Sequence, residues 1–386
     1  HLEALHHARH HLVLEAADVP GSFFREQPRH RMLQSLNKRH NGFPEREFNM
    51  RHDWNSLLSE EHEPLFRDYS EELFPNADDL CRYMRDYAAR HELRIRYKAR
   101  VRQIDRRDGL FQLALEDDSA LTCDRLIMGT GACGPKVPAE IEGIELAAGY
   151  EDHSLAPADY ENKSVLIIGR GNSAFEVANY LAPHASVIHV AIGSRPVKLA
   201  WDTHSVGDIR AVNNSIIEML HVKALHGAVG LNVKKLARAE QGGFAVTAVE
   251  EVPNWREPGM LELELHYDHV IRCTGFRYVT PELFSESTRP AMDAGAKYPV
   301  LDSTWQSSTK DLYYIGTAMA ARDRKSASSF IHGFRYNVRT LATLLAWRYH
   351  VAELPRERVP LDTVPQLREL AAGLLERLST TAALYQ

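Results

Sequence analysis

Residues 164–174 read SVLIIGRGNSA, a β-branched apolar run that meets Gly169, Gly171 and Ala174 and continues as the apolar-periodic FEVANYLA. This is a strand, a glycine turn and a helix in the order that binds a dinucleotide. The first glycine permits the tight turn, the second lets backbone N–H groups approach a pyrophosphate, and the small Ala174 lets helix pack on strand. The pyrophosphate then sits on the helix N-terminus, with Asn172 and Ser173 in its first turn. A second strand, Ser186–Gly193, follows where the ribose-reading residue belongs. An acid there would bind the 2′-hydroxyl of NAD, but this strand runs into Ser194, Arg195 and, slightly later, Lys198. Two cations and a hydroxyl suit a 2′-phosphate, so NADPH is the expected cofactor. The plainer reading of Arg195 and Lys198 is that they are solvated loop charges.

At the chain start, LEALHHAR reads as a helix and HLVLEA, residues 11–16, as a strand carrying Glu15 near its end. Helix, strand and acid form the back half of another nucleotide-binding unit, in which Glu15 takes the adenosine ribose. The acid of such a unit lies about 20 residues after its first glycine, whereas fourteen residues precede Glu15. The first strand and its glycine turn are therefore expected to lie upstream of residue 1. Two nucleotide sites in one chain point to FAD plus NADPH.

The elements that must position these residues follow the same plan twice. A helix is expected over Leu80–Ala88, then the extended LRIRYKARVRQIDRR, FQLALED and ALTCDRLIMGTG, separated by Asp-Gly and Asp-Asp turns, as in a β-meander. After the first nucleotide pattern come FAVTAVEEV and LELELHYDHVIRCTGF. Both returning strands have an Asp before them, Asp124 and Asp268, and end in Thr-Gly, at Thr130-Gly131 and Thr274-Gly275. A strand over Asp311–Ala318 brings Gly316 and Thr317 near the flavin, and SSFIHGFRYNVRTLATLLAWRY continues as a helix. The predicted class is α/β, with two Rossmann-like dinucleotide-binding domains, the NADPH domain inserted in the FAD domain, and a helical C-terminal tail. The expected boundaries are 1–157 and 286–350 for FAD, 158–285 for NADPH and 351–386 for the tail, which packs on a domain surface or on a partner in a homo-oligomer.

Composition bounds the function classes. With 386 residues, 44% of them hydrophobic, the chain can bury two cores. A net charge of −6, without a basic tract interleaved with aromatics, excludes nucleic acid as the expected partner. No 18-residue apolar run predicts a membrane span. Cys81, Cys123, Cys133 and Cys273 form no C-x-x-C pair, which argues against a dithiol relay and against structural zinc. Among the histidines, His6, His7, His10 and His11 read as surface or packing residues, and no metal is expected.

The chain resembles the flavin-containing monooxygenase superfamily, and within it the FAD-dependent oxidoreductase-domain proteins linked to degradation at the endoplasmic reticulum. The resemblance rests on PGSFFREQPRHRMLQSLNKRHNG, EFNMRHDWNSLLSE, LFRDYSEELFPNADDLCRYMRDYA, VLIIGRGNSAFEVA, WDTHSVGDIRAVNN and FIHGFRYNVRTL. It implies that Gly21-Ser22-Phe23-Phe24 lines the FAD, and that Asn37 is the active-site asparagine at flavin and nicotinamide. Lys38 and Val101 are further expected cofactor contacts. Gly149 and His153 match the family's G-x-x-x-H linker, with Ala147 where an aromatic is usual, and Gly316-Thr317 stands where wider flavoproteins carry Gly-Asp.

The activity implied is oxygenation of a soft nitrogen or sulfur atom of a small molecule, with dioxygen added at flavin C4a after reduction by NADPH. Such chemistry belongs to the cofactor, while the protein binds, orients and excludes water. The charged stretch from Arg25 to Asp53, with Arg29, Arg31, Lys38, Arg39 and Arg51, could bind an amino-acid-like carboxylate or instead tie loops together by salt bridges. The main rival activity is an NADPH-dependent flavoprotein reductase of a protein partner; a non-enzymatic flavin-binding module is the other. The reticulum-linked relatives carry targeting signals, none is visible here, and the chain ends ALYQ, so a cytoplasmic protein is expected.

Overall fold

Two units share the chain in the computed structural model, which describes residues 11–59, 62–218, 226–252, 259–322, 329–350, 352–356 and 362–385. The first takes the chain through Glu26, then Ser35–Gly131 and everything from Tyr278; the second takes Gln27–Gln34 and Ala132–Arg277. One unit is thus inserted in the other, and the breaks fall close to the two Thr-Gly pairs. The helix expected over LEALHHAR lies outside the described residues, as do His6, His7 and His10.

In the first unit β1 (Val13–Leu14) pairs in parallel with β2 (Ile95–Arg96). The strand expected over residues 11–16 is thus only two residues long, and the Glu15 N–H extends the pairing by donating to Arg96 O at 3.0 Å. Helices α1 (Phe23–Glu26), α2 (Arg46–Asn49) and α3 (Ala77–Arg90) follow in chain order. Helix α3 starts where the Asn76 side chain accepts from the Asp78 N–H, and it buries Ala77, Leu80, Cys81 and Tyr83. The meander is β3 (Val101–Arg107), β4 (Leu110–Leu115) and β5 (Ala120–Cys123), all antiparallel. Its first turn is Asp108-Gly109, both at positive φ, 52° and 83°, the two-residue geometry that matches strand twist. Phe111, Leu113 and Leu115 alternate into the core. Strand β6 (Leu126–Met128) then returns toward Thr130.

The second unit contains β7 (Gly134–Pro135), β8 (Ala148–Gly149), β9 (Ser164–Ile168), α4 (Asn172–Leu181) and β10 (Val187–Ala191). Helices α5 (Ala200–Thr203) and α6 (Ala211–Glu218), strands β11 (Gly227–Val229), β12 (Leu231–Arg238), β13 (Phe244–Val252), β14 (Gly259–Tyr267), β15 (His269–Arg272) and β16 (Phe276–Arg277) complete it. Its sheet has the order β11-β10-β9-β15-β8, every pair parallel. A strand covered on both faces reads as one apolar run, and β9 does. Val165 and Ile167 pack with Phe175, Ala178 and Leu181 of α4. Leu166 and Ile168 face the other way, onto Leu231, Leu236, Val246 and Ala248 of the β12–β14 meander. Because β8 pairs with β15, the expected boundary at 157/158 falls inside this unit.

The chain returns to the first unit as β17 (Leu312–Tyr314), parallel to β6. The strand expected over 311–318 stops early because Gly316, at φ 69°, turns it into the 3-10 segment Gly316–Ala321. Helices α7 (Ile331–His350), α8 (Val364–Thr380) and α9 (Ala382–Tyr385) follow. Helix α8 buries none of its residues. The tail is tied down at its end, where Ala382 packs with Met50, Leu65 and Tyr336 and Arg51 Nη2 donates to the carbonyls of Leu378 and Thr381. Among the described residues no helix is long and apolar enough to cross a membrane.

One side chain of α7 organises the loops of this unit. Arg335, 3% exposed, donates through Nη1 to the carbonyls of Asp53 (3.1 Å) and Ser56 (2.7 Å), and through Nη2 to that of Met50 (2.6 Å). Leaving buried carbonyls without their charged donor is among the costlier single changes. Arg335→Leu is expected to lower unfolding stability by about 3 kcal/mol, measured by denaturant titration of the whole chain. Arg339→Leu, on the exposed side of the same helix, should stay within about 0.5 kcal/mol of the parent.

Candidate functional site

The turn between β9 and α4 is built for close approach. Gly169 sits at φ 147°, and a Cβ there would lie 2.2 Å from the carbonyl oxygen of Cys273, so no side chain fits. Gly171 caps α4, and its hypothetical Cβ would meet nothing nearer than Gly207 O at 3.8 Å. Asn172 and Ser173 open the first turn beside that space, while the buried Ala174 donates its N–H to Gly171 O at 3.1 Å. Asn172 itself holds the loop that follows: its Oδ1 accepts from Arg210 N–H (2.9 Å) and Asn213 Nδ2 (3.0 Å), and its Nδ2 donates to Asp208 O (2.9 Å). Ser194, Arg195 and Lys198 stand exposed after β10. The half-buried Thr274 donates its hydroxyl to Lys136 O at 2.5 Å beside Gly275 at φ 89°. An open helix N-terminus with a hydroxyl and two cations at the end of the next strand fits a nicotinamide dinucleotide.

The FAD candidates lie in the first unit. Glu15 Oε1 accepts from Ala17 N–H (2.8 Å) and Ser22 Oγ (3.2 Å), which fixes the carboxylate at the end of β1. Phe23, 42% exposed, meets Phe24 edge-on at 5.2 Å. Val101 heads β3 beside a bulge, Thr130 is exposed, Gly131 and Gly316 take φ 60° and 69°, and Thr317 donates to Ser329 O at 3.3 Å. Asn37 is 2% exposed. Its Nδ2 donates to Ser70 O (2.8 Å) and Glu72 O (3.3 Å), while its buried Oδ1 has no hydrogen-bond partner among the described residues. The exposed Lys38 follows, its N–H on His52 O at 3.0 Å. A buried carbonyl that lacks a donor fits a flavin ring N–H or ribityl hydroxyl.

Three arginines of the charged stretch around Asn37 make contacts within the fold. Arg29 Nη2 donates to His153 O (2.7 Å), Arg39 pairs with Glu71 (2.7 Å), and Arg51 holds the tail. Asp53 caps its own turn through Asn55 and Ser56, and Trp54 stacks on His332 at 4.0 Å. Of the two readings of this stretch, these contacts favour tying loops.

Sequence reasoning missed a buried cluster in the second unit. Glu176, one turn past the glycines on α4, accepts from His30 N–H at Oε1 (3.1 Å) and from Tyr150 Oη at Oε2 (2.8 Å). Tyr150 Oη accepts in turn from Arg29 N–H (3.1 Å), and His153, the linker histidine, sits with Nδ1 3.0 Å from Tyr150 O and Nε2 3.4 Å from His30 Nε2. Burial pushes Glu176 from 4.5 up to about 7, against its two donors and Arg29. Burial, with His153 and Arg29 nearby, pushes His30 down to about 3, and burial also lowers His153. The available signal was a single acid inside the otherwise apolar FEVANYLA. Among the described residues no group of three His, Cys, Asp or Glu gathers as metal ligands would.

Residues 2–316 match the family model for pyridine nucleotide-disulphide oxidoreductases. The chain belongs to this family. It is 36% identical over 408 residues to FAD-dependent oxidoreductase domain-containing protein 2 of Mus musculus, covering 99% of this chain and 60% of that protein. The Danio rerio protein of the same name is 34% identical, with 98% of this chain and 60% of the relative covered. The chain thus spans about three fifths of the length of these relatives. Among solved structures it superposes on a bacillithiol disulfide reductase of Staphylococcus aureus, with TM-score 0.64 and 18% identity over 88% of this chain and 91% of that one. A flavin-containing monooxygenase of Stenotrophomonas maltophilia gives 0.63 and 17%, over 87% and 91%. At such identities the likeness is one of fold.

The buried cluster makes stability depend on pH with a definite sign. A carboxyl whose folded value is raised contributes stability that is complete below its ordinary 4.5 and lost as pH rises through about 7. His30 acts oppositely, contributing above 6.5 and losing that contribution as pH falls toward 3. Glu176→Gln is therefore expected to gain on the parent between pH 5 and pH 8, by at most roughly 3 kcal/mol. Thermal melts of both proteins across that range measure it; parallel curves would mean that Glu176 does not titrate there.

Proposed function

We propose that the chain is an NADPH-dependent flavin monooxygenase that places one oxygen atom of dioxygen on a soft nitrogen or sulfur of a small molecule. The observation that carries this reading is Asn37, a buried amide whose oxygen awaits a donor in the unit that carries the FAD candidates. Bound FAD supplies the electron and oxygen chemistry. Glu15 holds the adenosine ribose, the first turn of α4 takes the pyrophosphate of NADPH, and Arg195, Lys198 and Ser194 take its 2′-phosphate. Asn37 accepts a hydrogen bond at the reacting end. The loops held by Arg335 and Asp53 keep water away from it.

The cysteines support oxygenation over the reductase reading. All four are free. Burial raises the thiols of Cys273 and Cys123 above their ordinary value, whereas a thiol relay needs a thiolate. The engaged guanidinium groups of Arg29, Arg39 and Arg51 favour a substrate recognised by something other than a carboxylate.

Flavin reduction should be at least tenfold more efficient with NADPH than with NADH. Arg195→Ala should raise the Kd for NADPH roughly ten- to a hundredfold while leaving that for NADH within about twofold. Equal use of both nucleotides by the parent protein would overturn the assignment. With labelled dioxygen and an amine or thioether substrate, the product should carry one labelled oxygen. Asn37→Ala should shift NADPH consumption toward hydrogen peroxide release. Unlabelled products, together with rapid electron delivery to a protein acceptor, would replace oxygenation with the reductase activity.

A further inference from the structure

The segment Gln27–Gln34 is the one stretch before Ala132 that belongs to the nucleotide-binding unit; the chain on both sides of it, at Glu26 and Ser35, belongs to the other. Three pieces of chain hold it there. From the segment come the N–H groups of Arg29 and His30. From the linker after β8 comes Tyr150, whose Oη accepts the first (3.1 Å) and donates to Glu176 (2.8 Å). From α4 comes Glu176, which accepts the second (3.1 Å). The His30 ring adds a stacked contact with Tyr180, one turn further along α4, at 4.0 Å between centroids.

We infer that Glu176 is a positioning residue: through Tyr150 and the His30 amide it clasps Gln27–Gln34 to the nucleotide-binding helix, and so fixes the chain that runs on directly into Ser35–Asn37. The inference rests on the reading that NADPH binds at the N-terminus of α4 and reduces the bound flavin. Glu176 touches neither nucleotide nor flavin in this scheme. It stands one turn beyond the residues that face the pyrophosphate, and both of its oxygens are taken up by the clasp.

The clasp is also responsive to pH. The groups facing the carboxyl are Arg29 and His30 from the segment, Tyr150 and His153 from the linker, and the Cys273 thiol after β15, with Arg272 held by Glu151 behind it (2.5 Å). Closing the clasp buries Glu176 and raises its proton affinity, so closure is favoured below about pH 7 and weakened above it. The two histidines oppose closure as pH falls below their ordinary 6.5. The clasp is thus tightest near neutrality.

The test uses the full-length holoprotein with Glu176→Ala, Glu176→Gln and Tyr150→Phe. Hydrogen exchange at the Arg29 and His30 amides should accelerate about tenfold or more in Glu176→Ala, and at Arg29 in Tyr150→Phe. The Kd of NADP⁺ should stay within about threefold and flavin occupancy should not change, while the rate of flavin reduction by NADPH falls about tenfold. Glu176→Gln should restore most of that rate and lose the decline of the parent rate between pH 7 and 8.5. Unchanged exchange at both amides would overturn the clasp. Faster exchange with a parental rate and pH profile would overturn the positioning role, and so would a loss of NADP⁺ affinity matching the loss of rate. Should Glu176→Ala not fold, Tyr150→Phe and Glu176→Gln carry the same readouts. If neither NADPH nor NADH reduces the parent flavin, the proposed function fails, and exchange at Arg29 and His30 alone decides the clasp.

Discussion

A backbone carbonyl, that of Cys273, occupies the space into which any side chain at position 169 would project. This contact dictates much of the second unit. It requires the left-handed region of backbone that only glycine enters freely at φ 147°, and it brings the end of β9 against the end of β15. The Cys273 N–H completes the contact on Ile168 O at 2.8 Å. At the far end of the same two strands, Asp268 Oδ2 accepts from the N–H and hydroxyl of Ser164, both at 2.8 Å. Register is therefore fixed at both ends of β9, and α4 leaves the sheet in one direction only. Every candidate nucleotide contact in this unit inherits its position from that geometry.

The legible parts of this architecture are those whose signal is local. An uninterrupted β-branched run marks a strand buried on both faces, and β9 is one. Two-residue turns such as Asp108-Gly109 mark hairpins, so the first meander could be placed from sequence, whereas in the second β12 was not read. Strand ends were less legible. The runs over residues 11–16 and 311–318 have strand-like composition throughout, yet β1 and β17 stop where pairing stops, the latter where Gly316 reverses the chain. The clasp left almost no trace, because Arg29 and His30 meet Tyr150 and Glu176 across separations of 121 and 146 residues. No periodicity records such a meeting. A single acid in an apolar helix hints that something must satisfy it, without naming the partner.

The first unit uses charge in a way that sequence alone invites one to misread. A run of arginines beside a candidate active-site asparagine suggests recognition of an anion. The structure instead turns two of those guanidinium groups on the protein's own carbonyls, Arg51 on the tail and Arg29, within the second unit, on His153, and Arg335 of α7 likewise serves three loop residues of the first unit. A guanidinium is suited to this task, since its donors lie in a fixed fork and it stays charged even where burial lowers its proton affinity, as at Arg335. Loops that carry a site cannot rely on regular hydrogen-bond ladders, so buried arginines supply the missing donors.

Asn37 can offer an acceptor but no proton at neutral pH. Glu176, raised toward neutrality, meets a backbone amide and a phenol, and His30 and His153, both lowered away from it, meet each other and the Tyr150 carbonyl, all within their own unit. A perturbed group in such a place regulates geometry more readily than it transfers protons to a ligand. The division of labour that results is the one expected where a cofactor performs the difficult step: the chain holds two nucleotides, orients one amide and closes loops around it. In the proposed scheme, specificity toward substrate would lie in the shape of what surrounds Asn37, and the rate would depend on how firmly the segment leading to it is held.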